Sequence, residues 1–230
     1  MKKYPTIAVL VACVAAHRHN KGYIKHSTPN TLKTDVIGTS TIVSGIYCNS
    51  AIVRLHLEKK ALLEITDSDI STANDIIKHY QHKTFTILQG KHITDYTKKI
   101  IDNLEKPEIS IDDIRLMASV PKTFYIEQEN AKVKKRIIEE TDNTSYVDDV
   151  NKKIRADIEV ILAEYIDTFK IYHITAITST KHLVAFFHKK EFKVPSHITI
   201  TGIVKQHSTD GISGFKVSRL NRVKIKNQNG

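Results

Sequence analysis

The chain has 230 residues, 40% of them apolar, and a formal net charge of +10 at pH 7, enough apolar material for one large or two small packed domains. No stretch nears the roughly 20 uninterrupted apolar residues that a membrane span needs; the longest, Thr6 to Ala16, ends in His17, Arg18 and His19. The two cysteines, Cys13 and Cys48, lie in apolar surroundings, so they are expected as small buried groups in a reducing compartment rather than as a disulfide framework.

In chain order, Lys2 and Lys3 before an apolar run have the outline of a secretory signal. A signal peptide is nevertheless not expected, because Pro5 sits where a first-turn helix proline belongs and no clear small-x-small cleavage site closes the run. The sequence predicts a helix from Pro5 through Ala16, stopped near Gly22. Residues 27–50 are rich in Thr, Ser and Gly without a period and are left unassigned. Asn49 or Ser50 is expected to cap a helix running to Leu63. Thr66-x-x-Asp69 is a capping box opening an amphipathic helix through Ala73, Ile76, Ile77 and Tyr80. Ile93 to Leu104 forms another, and Ser110 with Asp113 starts a short one that carries Ile114 and Met117. Phe124 to Glu140 reads as a charged helix ending at the turn-rich TDNTS, which marks the expected domain boundary between 1–144 and 145–226, with 227–230 as a tail.

Beyond Ser145 the period changes from helical to alternating. Strands are predicted at Ile154–Leu162, Phe169–Ile177, His182–His188, His197–Gln206 and Phe215–Ile225, the last two joined by HSTDGISG with its Asp-Gly and Ser-Gly pairs. Five short strands in about 80 residues match an OB-fold in size. The expected fold is therefore α+β: a helical N-terminal region followed by a five-stranded, OB-like antiparallel β-barrel.

Charge is divided unevenly. Residues 1–60 carry +7, residues 61–180 carry −5 and residues 181–230 carry +8. Ten cations against two anions in the last fifty residues repel one another in a folded domain, which points to an anionic partner. Strand parity in Phe215–Ile225 puts Phe215, Val217, Val223 and Ile225 on a core face and Lys216, Ser218, Arg222 and Lys224 on an exposed one. Arg219, Leu220 and Asn221 break the pattern, the mark of a bulge or of a residue aimed at a ligand. Lys189 and Lys190 follow the third strand, and Lys205 ends the fourth. Single-stranded nucleic acid is held by such a cationic track together with rings on which bases stack. Tyr172 and one of the adjacent pair Phe186 and Phe187 are the stacking candidates, because neighbouring strand residues face opposite ways. The candidate contacts are thus Tyr172 and Phe187 for bases and Lys189, Lys190, Lys205, Lys216, Arg219, Arg222 and Lys224 for phosphates.

Enzymatic readings find little footing. His17-x-His19 and His79-x-x-His82 lack partners at ligand spacing, so no metal site is expected. Asp67-x-Asp69 and Asp112-Asp113 sit where helix N-termini favour acids. With 8 glycines there is no phosphate loop, and IDDIRLMA, as the second helix of a helix-turn-helix, carries two Asp against one Arg. No catalysis and no cofactor are expected.

The ordered blocks ITDSDISTANDIIKHYQHKTFTILQG, DDIRLMASVPKTF, SYVDDVNKKIRADIEVI and HLVAFFHKKEF, followed by ITITGIVKQHSTDG and KVSRLNRVKI, resemble a family of proteins carried by large tailed bacteriophages. The resemblance covers roughly residues 65–226. It implies an OB-like C-terminal module found among phage replication proteins, binding nucleic acid without catalysis; here the usual Trp- or aromatic-rich strand carries only Phe. The resulting expectation is a single-stranded DNA binding or replication accessory protein, with phage or host replication proteins as further partners, in the cytoplasm of an infected bacterium. The alternative is an interaction module docking an acidic partner; exposed rings set among cations favour nucleic acid, whereas an apolar patch favours protein.

Overall fold

The computed structural model describes residues 2–27, 33–37, 40–44, 47–88 and 93–226. The chain divides into two compact units, Met1–Ile126 and Glu127–Gly230.

The first unit is built on α1 (Thr6–His19), whose Val9, Leu10, Ala12, Cys13, Val14, Ala15 and Ala16 are all buried. A helix apolar on nearly every side has to be enclosed, and α2 (Asn49–Leu57), α3 (Asp67–Leu88), α4 (Asp95–Leu104) and α5 (Ile114–Met117) supply the cover through Val53, Ile76, Ile100 and Met117. Pro5 is the N-cap of α1 and also ends β1 (Lys3–Pro5), which pairs antiparallel with β4 (Glu108–Ser110). The span without a sequence period contains a hairpin of β2 (Lys33–Ile37) and β3 (Ser40–Ser44). Cys13 is buried, and burial pushes its thiol far up. Cys48 is half-buried; burial raises its thiol too, but hydrogen bonds from Ser50, Ser27 and nearby backbone outweigh that and bring it below the ordinary value.

Two helix starts differ in outcome. The capping box forms: Asp69 N–H donates to Thr66 Oγ1 at 3.3 Å and Thr66 N–H to Asp69 Oδ2 at 2.8 Å. Arg18 adds a fork onto the Asp69 carboxylate, 3.0 Å to each oxygen, and Asp69 is 2% exposed. Burial alone would raise the Asp69 carboxyl, yet the Arg18 and Thr66 bonds hold it below the usual range. Asn49, expected as a cap, lies inside α2, where Cys48 takes the N-cap position. Its buried amide instead accepts from Asn20 and from Ile24 N–H and donates to the Gly22 carbonyl, work that no local pattern signals. α2 also stops at Leu57 rather than Leu63, with Lys59 in the left-handed region at φ 58°.

The second unit begins within α6 (Val120–Glu140), not at the turn-rich segment near residue 145. The reason is packing: Val133 and Ile137 of α6 are buried with Ile161, Ile177, Leu183, Ala185 and Val217 of the strands. Arg136 reinforces this contact by bonding Glu140 and reaching Glu159 at 2.9 Å.

The five predicted strands are β5 (Lys153–Ile166), β6 (Ile171–Thr178), β7 (Leu183–His188), β8 (Ser196–Thr209) and β9 (Lys216–Lys226). They close into a barrel in the order β5-β6-β7-β9-β8, an OB-like arrangement. Four seams are antiparallel and β7–β9 is parallel, where an all-antiparallel barrel was expected. The physical reason is parity: five strands in a closed ring cannot alternate direction all the way round, so one seam must be parallel. Ile158, Val160, Ile174, Ala176, Val184, Phe186, Ile200 and Val204 fill the interior.

The strands are not regular ladders. β5 slips register between Val160 and Leu162, so Ile161 and Leu162 both pack on the α6 side before Ala163 returns to the interior. β8 and β9 slip twice against each other, around Lys205 and around Arg222, and Arg222 takes φ 49°. The second slip presses β9 onto Gly202: a Cβ there would stand 3.2 Å from Val223 Cγ2 and 3.4 Å from the Asn221 carbonyl. Gly202→Val is therefore expected to destabilise the protein by about 1–3 kcal/mol through overpacking, measured by urea denaturation; Thr201→Val, whose position is half-buried, serves as the neighbouring control and should stay within about 1 kcal/mol.

Candidate nucleic-acid interface

α6 covers the outer barrel face as far as Leu183 and Ala185 on β7. Phe187, the next outward residue, is beyond that cover and 54% exposed, while Phe186 beside it points inward and is 2% exposed. His173 on β6 pairs with Phe187 in register, and their rings lie 5.2 Å apart at 47°. Together they form an aromatic shelf.

The parallel seam of β7 and β9 ends at Phe186 and Leu220. The two bulges then act on the exposed side: the slip at Lys205 brings Lys205 and Gln206 both to the surface, and the slip at Arg222 turns that residue outward as well. A cleft of about 310 Å³ results, lined by His173, Phe187, Lys205, Gln206, Arg219, Asn221 and Arg222 over a floor that includes Phe186 and Leu220. Arg219 Nε donates to Ser208 Oγ at 3.0 Å, which fixes the guanidinium plane and leaves its terminal nitrogens for an anion. Among the described residues, the side chains of Lys205 and Arg222 have neither hydrogen bond nor ion pair. The Glu164 carboxylate lies 3.8 Å from His173 Nδ1. A cleft with a ring shelf on one wall and three cations on the other can stack a flat group and neutralise the charge it carries.

Of the nine sequence-derived residues, Phe187, Lys205, Arg219 and Arg222 meet in this cleft. Lys224 lies further along β9, exposed and opposite Thr201. Tyr172 does not join them. It is the cross-strand neighbour of Tyr165, 5.0 Å from that ring, and one residue out of phase with His173, so it faces the barrel mouth and packs on the interior cluster. Partial desolvation, the negative charge of the nearby Glu191 and the neighbouring Tyr165 hold its phenol above the ordinary value. Lys189 and Lys190 occupy the turn after β7 at the same end as Tyr172. Lys216 is committed elsewhere: its Nζ donates to the Thr144 carbonyl at 2.7 Å and lies 5.6 Å above the Tyr146 ring.

Parity in β9 also needs correction. Val217 and Val223 are both sheltered, but Val217 packs outward against α6 and Val223 inward, because the bulge at Arg222 inverts the alternation. Ser218, expected on the exposed face, is fully buried and accepts from Val147 N–H. The connection after β8 is a compact turn, as its Asp-Gly and Ser-Gly pairs predict: Asp210 Oδ2 accepts from Ile212 N–H, Ser213 N–H and Ser213 Oγ, and Ile212 and Phe215 pack on the α6 side.

His173 and Gln206 also line the cleft, and sequence pattern does not single them out; Asn221, which lines it too, lies in the stretch of β9 where the alternation breaks. His173 is hidden among strand residues of ordinary alternation; its place beside Phe187 follows only from register. Among the described residues no group of three or more His, Cys, Asp or Glu side chains is placed to hold a metal, and no helix is long and apolar enough to cross a membrane. No family model, curated protein or solved structure matches the chain.

Proposed function

We propose that this protein binds single-stranded DNA through the outer face of its C-terminal barrel, as a non-enzymatic accessory protein of phage DNA replication. The observation that carries the binding reading is the cleft in which the half-exposed Phe187 stands among Lys205, Arg219 and Arg222. A ring set between cations is the arrangement that stacks a base and holds its phosphate; a protein-docking surface favours a contiguous apolar patch. Single strands are favoured over duplex because Phe187 needs the open face of an unstacked base. The assignment to phage replication, and with it the cytoplasm of an infected bacterium, rests on the ordered sequence blocks between residues 65 and 226.

The test is a fluorescence-anisotropy titration at low salt against a single-stranded DNA oligonucleotide, the same sequence as RNA, and its duplex. Tightest binding to the single-stranded DNA is expected. Binding to none of the three overturns the reading, and preference for duplex overturns the stacking argument.

A further inference from the structure

The cleft is one end of a longer cationic surface. In the barrel's outer face the register aligns Arg155 on β5 with Thr201 on β8 and Lys224 on β9, and Lys153 with Ile203 and Asn221. Cross-strand partners point to the same side of a sheet, so Arg155 and Lys224 stand on one surface two strands apart, about 10 Å. Lys153, Arg155 and Lys224 are exposed, and among the described residues none of their side chains has a hydrogen bond or an ion pair. Arg222 adjoins this row in sequence and lines the cleft. A band of unpaired cations therefore leaves the cleft at Arg222, passes Lys224 and ends at Arg155 and Lys153.

The band has an edge. One step along β5, Asp157 pairs in register with Thr199 and accepts its hydroxyl, and after it Glu159 is held by Arg136. Lys226 stands opposite Thr199 on β9 in the Asp157 row, so the carboxylates repel a phosphate on β5 itself, and along that strand a polyanion is favoured on the Lys153–Arg155 side. The only large apolar side chain within the band is Ile203, half-buried; with no exposed ring there, the surface attracts charge rather than bases.

We infer that Lys153 and Arg155 form a second, phosphate-only contact that holds the continuation of a single strand whose base occupies the Phe187 cleft. This rests on the single-stranded DNA reading and adds to it a direction across β9 and β8 to β5. It also adds a length requirement. A short oligonucleotide fills the cleft alone, whereas one of about 15 nucleotides, near the upper range for an OB-fold site, reaches the β5 row.

The experiment compares oligothymidylates of about 5 and about 15 nucleotides on the full chain at low salt. It uses wild type, Lys153→Ala/Arg155→Ala, and Lys132→Ala/Lys135→Ala. The last pair removes the same charge from exposed positions on α6. The β5 pair is expected to lower affinity for the longer oligomer by roughly 10-fold while leaving the shorter one within about twofold, and the α6 pair to change neither by more than about twofold. Equal loss on both lengths, no loss on either, or the same loss from the α6 pair overturns the second contact while the cleft reading stands. Failure of the wild type to bind either oligomer overturns both. Circular dichroism on each variant separates lost contact from lost fold.

Discussion

Replacing Phe187 by alanine is expected to weaken binding of a single-stranded DNA oligonucleotide by roughly 10- to 100-fold, with the thermal midpoint nearly unchanged. The magnitude follows from base stacking on an aromatic ring, about 1–3 kcal/mol per base. Stability is spared because the ring is 54% exposed and lies beyond the α6 cover; losing its contact with His173 costs about 1 kcal/mol or less. The same substitution one residue earlier has the opposite profile. Phe186 is 2% exposed and packs in the barrel interior against Val184, Leu220 and the edge of Phe192, so Phe186→Ala leaves a cavity and is expected to cost about 3–5 kcal/mol. For a unit of this size that is a fall in thermal midpoint of more than about 10 °C. Calorimetry and anisotropy on both variants check the pair. Equal effects of the two substitutions on stability would show that Phe187 is a core residue, and an unchanged affinity in Phe187→Ala would remove the stacking role.

That contrast separates what is legible in the sequence from what is not. The period-two run HLVAFFH requires Phe186 and Phe187 to face opposite sides, and its apolar character correctly signals burial on both faces of that strand. Which ring stays in the open is beyond its reach, because that depends on where α6 stops covering β7, a contact between residues about fifty positions apart. The same limit explains the other departures. A bulge is a property of two paired strands, so the slips at Lys205 and Arg222 that open the cleft leave only a broken alternation in one of them, at Arg219 to Asn221. Lys216 has the exposed parity of a phosphate contact and is held by Thr144 and Tyr146, some seventy residues earlier. Helix starts governed by neighbours, such as Thr66 with Asp69, are readable; Asn49, whose partners are Asn20, Gly22 and Ile24, is not.

Salt dependence carries the second large effect. Each phosphate neutralised on a single strand releases counterions and contributes a slope of about −0.7 to log K against log salt. Lys205, Arg219 and Arg222 in the cleft with Lys224 beside it give an expected slope of about −3 for a short oligonucleotide, equivalent to roughly 50-fold weaker binding between about 50 and about 200 mM salt. Arg219→Ala/Arg222→Ala should lower that slope by about half, with a loss of affinity that is largest at low salt and shrinks as salt rises. The Phe187→Ala variant should leave the slope alone, since stacking on a neutral ring releases no counterions, and its loss should be the same at every salt concentration. The two variants thus separate the cleft's two walls by a measurement that does not depend on absolute affinity. If both variants alter the slope equally, or neither does, the division of labour between the ring shelf and the cations is wrong, and the cleft is not reading a base on one side and its phosphate on the other.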